Sequence, residues 1–227
     1  METFIVHPSE DGPHPVVVFL MDAPGMREEL RNMCRRLASA GYYVAAPHLY
    51  YRSVDHYNVF ETGDRDLMFE LMGELSNTLV CEDIGAVLAI ADGDPAADST
   101  SVGTVGYCMS GPFALMAAPA FPGRVKAAAS IHGVALAVDA EDSPHRHIDA
   151  SDAELYVACA EVDEYAPPEM IAEYEKALAA SDTPGRVEWY PETHHGFAFA
   201  ERPLYVQAAS ERHWECLHSL FRRNLHA

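Results

Sequence analysis

Short apolar blocks alternate with amphipathic stretches along the whole chain. Thr3 to His7 is a brief strand-like run, and Pro15 to Met21 is almost continuously apolar and rich in β-branched residues, which suits a strand buried on both faces. A turn at Asp22-Ala-Pro-Gly25 follows. Leu30, Met33, Cys34, Leu37 and Ala38 then share one face, predicting a helix from about Met26 to Ala40 that Gly41 stops. The same reading predicts strands over 42–46, 101–107, 126–131, 155–160 and 186–190. It predicts helices over 64–75, 81–91, 110–118, 167–180 and 204–225. Between His48 and Gly63 the aromatics Tyr50, Tyr51, Tyr57 and Phe60 interleave with polar groups, an irregular segment that is either a substrate wall or core packing. Strands alternating with helices at this spacing imply a mainly parallel α/β sheet covered on both faces, with ligands received beyond the carboxyl ends of the strands.

Composition narrows the picture. A chain of 227 residues, 49% hydrophobic and with no linker-like or repetitive tract, is expected to form one domain over residues 1–227. The formal charge of −20 repels phosphate backbones and anionic bilayers, so neither nucleic acid nor membrane is expected as a partner. No basic segment leading into an apolar run opens the sequence, and the longest apolar runs are too short to span a bilayer. The expectation is a soluble cytoplasmic protein, monomer or homodimer. Five scattered cysteines without a CxxC pair argue against a disulfide framework or a zinc site. His213 and His218, five apart on a predicted helix, are poorly spaced for one metal, and no metal is expected.

The segment Gly103-Thr-Val-Gly-Tyr-Cys-Met-Ser-Gly111 places Cys108 where a strand turns abruptly into a helix. This is the layout of a nucleophile elbow, with cysteine where the G-x-S-x-G pattern has serine. Gly106 lets neighbouring backbone approach, and the helix N-terminus favours negative charge on sulfur. Ser110 stands where the second glycine is usual, with Gly111 one place later.

A thiol nucleophile needs a base, and the base needs an orienting acid, in the chain order nucleophile, acid, histidine. The strand ending at Ala160 runs into Glu161-Val-Asp163, so Asp163 is the candidate acid, with Glu161 the runner-up. The strand ending at Tyr190 leads to His194-His-Gly-Phe197, where His195 is the candidate base and His194 a neighbour. An oxyanion hole would use the N–H groups of Met109 and of Ala23, since Pro24 has none.

With these pieces assembled, the chain resembles the dienelactone hydrolase (carboxymethylenebutenolidase-like) family through Asp22-Ala-Pro-Gly25, Gly41 to Pro47, Gly106-Tyr-Cys108, Asp163 to Pro167 and His195-Gly-Phe197. The resemblance implies an α/β-hydrolase fold and hydrolysis of a small-molecule ester or lactone through Cys108, His195 and Asp163, with no metal or organic cofactor. Members acting on dienelactone carry a glutamate that holds the resting thiol, and Asp22 looks like its shorter counterpart. They also place an arginine just beyond the histidine to bind a substrate carboxylate, and Phe199 stands there instead. Arg65 and Arg202 are the remaining candidates for that contact, and His132, Phe197 and Phe199 are candidate pocket residues. A missing arginine weakens carboxylate recognition, so the substrate is expected to differ from dienelactone. A thioesterase or general carboxylesterase of the same fold, or a non-catalytic redox-sensing member, are the alternatives.

Overall fold

A computed structural model describes residues 1–10 and 12–226. In chain order the elements are β1 (Thr3–Val6), β2 (His14–Leu20), α1 (Glu28–Ala38), β3 (Tyr43–Pro47), α2 (Val59–Thr62), α3 (Arg65–Gly73), α4 (Asn77–Asp92), β4 (Ala97–Tyr107), α5 (Gly111–Ala120), β5 (Val125–Ile131), β6 (Glu154–Val162), α6 (Pro168–Ala180), β7 (Gly185–His194) and α7 (Gln207–Leu225). The seven strands form one sheet in the order β1-β3-β2-β4-β5-β6-β7. All neighbours are parallel except β1 and β3.

Helices on both faces explain the near-continuous apolar strands. Val16 through Met21 have no solvent exposure, because helices leave neither face of β2 to water. Helix α1 buries Leu30, Met33, Cys34 and Leu37 on one side, with acidic Glu28 and Glu29 in its first turn and Arg35 and Arg36 in its last, matching the helix dipole. The register aligns Leu20 of β2 with Gly106 of β4, and Tyr107 of β4 with Ile131 of β5. The loops after these strands therefore emerge side by side at one edge of the sheet.

Four segments depart from the sequence reading, one of them β4, which begins at Ala97, four residues early. Strand β7 continues through Pro191 to His194, four residues past its expected end. It is an edge strand, where a residue without an N–H costs no ladder bond. The irregular segment closes with one helical turn, α2, capped by the Asn58 side chain accepting from the Phe60 N–H. Helix α4 begins four residues early, at a Ser76 N-cap. Among the described residues, no helix is long and apolar enough to cross a membrane.

Candidate active site

Strand β4 ends at Tyr107, and Cys108 then adopts φ of 55°, a left-handed conformation costly for any residue with a side chain. A single 3₁₀ turn over Cys108–Ser110 leads into α5. The turn is so tight that a Cβ on Gly106 would lie 1.9 Å from the Ser110 carbonyl oxygen, so only glycine fits. The displaced glycine has its own cause: a Cβ on Gly111 would lie 2.4 Å from Ser130 Oγ and 2.5 Å from Gly133 Cα, where the loop after β5 crosses. Ser110 is buried, and its hydroxyl donates to the Met21 carbonyl at 2.5 Å, tying the elbow to the end of β2.

The residues after β6 and β7 converge on this elbow. Asp163 Oδ1 accepts the N–H groups of Tyr165 (2.9 Å) and Ala166 (3.1 Å), which leaves Oδ2 to take the His195 Nδ1 proton at 2.7 Å. That bond assigns Nε2 of the ring to the Cys108 side. Burial alone would depress the imidazole pKa. Hydrogen bonds to Asp163 and Cys108, together with their negative charge, overcome it and raise His195 to about 10. The ring is held edge-on between Tyr165 and His132, each with its centroid 4.9 Å away. Glu161 is exposed and accepts the Glu192 N–H, and His194 is exposed; neither reaches the elbow.

Ala23 and Met109 flank Cys108. Among the described residues the Ala23 N–H has no acceptor, and Met109 sits in the first turn after the elbow, where N–H groups lack intrahelical partners. The buried Tyr50 hydroxyl reaches both residues, 3.0 Å from the Ala23 carbonyl oxygen and 3.1 Å from Met109 Sδ. Tyr50 and Tyr57 are thus core residues of the aromatic segment, whereas Phe60 is exposed.

Four residues expected beside substrate sit elsewhere. Asp22 is fully buried and paired with Arg27 at 2.5 Å and Arg202 at 3.2 Å, and Arg27 also binds the buried Glu29 at 3.1 Å. Both guanidinium groups lie over the Phe60 and Phe199 rings, 5.0 to 5.5 Å from the centroids. Phe197 and Phe199 have 0% and 1% exposure. Phe197 stacks on Tyr190 and Phe199 packs against Tyr107, because burying aromatic area in the core outweighs presenting it to a pocket. His132 is buried behind His195, neither ring nitrogen has a hydrogen-bond partner among the described residues, and burial holds its pKa far below the ordinary value, so the ring is neutral. None of the four lines the cavity, whereas Arg65 and Arg202 do. Arg27 is not legible as a site residue from the sequence, because its two carboxylate partners and the aromatic rings beneath it come together only in the fold.

A cavity of about 770 Å³ opens above the elbow, with Cys108, His195, Ala23 and Tyr165 on its wall. Much of the remaining wall comes from α2 and α3 and from the segment after β5, including Phe60, Met68, Met72 and Val134.

A mainly parallel sheet carrying a strained strand-to-helix turn, with a carboxylate and a histidine after later strands, defines an α/β-hydrolase. The chain belongs to the dienelactone hydrolase family, whose model matches residues 1–225, and it is a hydrolase enzyme of that family. It is 29% identical over 225 residues to the carboxymethylenebutenolidase of Rhodococcus opacus, covering 97% of this chain and 86% of that protein. A Methylorubrum extorquens protein provisionally named a carboxymethylenebutenolidase is 28% identical over 219 residues, covering 95% and 74%. Among solved structures, a Klebsiella pneumoniae chain provisionally described as a dienelactone hydrolase superposes with a TM-score of 0.88 at 25% identity, covering 97% of this chain and 92% of that one.

Proposed function

We propose that the protein hydrolyses carboxylic esters or lactones through a covalent acyl-enzyme on Cys108. The observation that carries this reading is the left-handed apex at Cys108, set on a cavity floor beside a histidine that Asp163 holds at 2.7 Å. With its pKa raised to about 10, the resting His195 is an imidazolium, and a neighbouring cation favours the thiolate form of a cysteine nucleophile. The thiolate attacks the carbonyl carbon, forming a C–S bond while the π electrons move to oxygen. The N–H groups of Ala23 and Met109 receive that oxyanion. Collapse breaks the C–O bond, and His195 Nε2 gives its proton to the departing alkoxide. In the second half, His195 takes a proton from water, hydroxide adds to the thioester, and the thiolate leaves with its electron pair. Asp163 keeps the ring in one tautomer throughout.

A redox-sensing role for Cys108 would suit a closed pocket with His195 turned from the sulfur. The open cavity, with both Cys108 and His195 on its wall, favours catalysis instead. The test uses 4-nitrophenyl acetate with the wild type and Cys108→Ala. Turnover should vanish in the variant, and quenched wild-type protein should carry an acyl group on Cys108. Activity surviving in the variant sinks the proposal.

A further inference from the structure

Resting on the hydrolase reading above, we infer that the preferred substrates are uncharged esters or lactones with a bulky apolar body, and not small anionic ones. The cavity volume of about 770 Å³ lies in the range, roughly 300–1,000 Å³, that encloses drug-sized ligands. Three of its wall residues are methionines, Met68, Met72 and Met170, whose flexible thioethers fit irregular apolar shapes.

The mouth repeats the preference. Phe60, Phe69, Val138 and Tyr165 are 59, 49, 41 and 46% exposed, and all four line this cavity. On a chain with a formal charge of −20, large apolar side chains gathered at one opening mark a site for an apolar ligand.

The charges give the other half. Apart from His195, the cationic side chains among the described residues of the cavity wall are Arg65 and Arg202. Arg202 is bound to Asp22, which Arg27 also holds, and Arg27 holds Glu29. Two arginines against two carboxylates leave this cluster formally neutral, so it offers an entering carboxylate no net attraction. Arg65 is exposed, where water and salt weaken its field. A carboxylate among the methionines and phenylalanines would lose its hydration with only this screened charge at the opening to offset the loss. The protein's overall negative field repels it beforehand.

The test is a series of 4-nitrophenyl esters, acetate, butyrate, hexanoate and octanoate, with the mono-4-nitrophenyl ester of suberic acid as an equal-length substrate ending in a carboxylate. We expect kcat/KM to rise at least 30-fold from acetate to octanoate, and the suberate ester to fall at least tenfold below octanoate. Phe69→Ser, a change at an exposed position, should narrow the octanoate-to-acetate ratio at least fivefold. A flat or falling series, or a suberate ester turned over as well as octanoate, overturns this inference alone, provided that turnover still requires Cys108. Absence of any turnover that Cys108→Ala abolishes overturns the catalytic reading and this inference with it.

Discussion

Replacing Asp163 with asparagine changes one charge and almost no volume, so it isolates what the carboxylate does. In the native site Oδ1 is engaged by the Tyr165 and Ala166 N–H groups, and Oδ2 takes the His195 proton. An asparagine side chain keeps the backbone bonds only by placing its carbonyl oxygen there, which turns its NH₂ toward Nδ1. The ring must then carry its proton on Nε2, facing Cys108 as a donor when it should accept from water. Loss of a charged hydrogen bond alone is worth roughly 1.5–3 kcal/mol, or about 10- to 150-fold. Tautomer inversion in an analogous triad extends the loss to about 10⁴-fold. The expected fall in kcat/KM is therefore roughly 10²- to 10⁴-fold, and stability at neutral pH should fall as well, because the His195–Asp163 pair is charged there.

The same change has a pH signature. His195 has its folded pKa raised, to about 10, above an unfolded value near 6.5. Its contribution to stability is thus fully present below about pH 6.5 and is lost as pH rises through about 10. Asp163→Asn removes a principal cause of the rise, so the variant's His195 should titrate roughly one to two units lower, and its stability should fall less steeply between those limits. Ring NMR titration and urea melts at pH 6, 8 and 10 measure both. A variant that keeps more than a third of wild-type kcat/KM, with an unshifted His195 titration, refutes the reasoning.

Gly106→Ala should abolish soluble, active protein, since its Cβ would stand 1.9 Å from the Ser110 carbonyl oxygen and the elbow cannot form; expression yield and thermal melting report it. Arg27→Met leaves the buried Asp22 and Glu29 short of a counter-charge and should cost about 3–5 kcal/mol by urea denaturation. Ser110→Ala strands the Met21 carbonyl and should cost about 1–3 kcal/mol, with a lower kcat because the loop carrying Ala23 loosens from the elbow. A stability within 0.5 kcal/mol of wild type would show that the Ser110 contact is incidental.

The elements were legible because their signals are local. Continuous apolar runs such as Val16 to Leu20 require burial on both sides, and the abrupt change of periodicity at Tyr107-Cys108 marks where a strand meets a helix. Chain order then pointed to Asp163 and His195, because in a parallel sheet whatever follows a strand emerges at the same edge. Those two residues, 32 apart in sequence, do meet at 2.7 Å.

What packing decides could not be read in this way. His195-Gly-Phe-Ala-Phe199 does not say which way its phenylalanines face, and the fold turns both into the core against Tyr190 and Tyr107. The pairing of Asp22 with Arg202 spans 180 residues and depends on the chain crossing the whole sheet. It leaves Asp22 out of the cavity and makes Arg202 part of its wall. The sequence by itself determined the sheet, the turn at Cys108 and the order of its partners, since these follow from periodicity and strand ends. Only the tertiary structure decided which side chains face the cavity and which charges cancel, because those depend on surfaces brought together from distant parts of the chain.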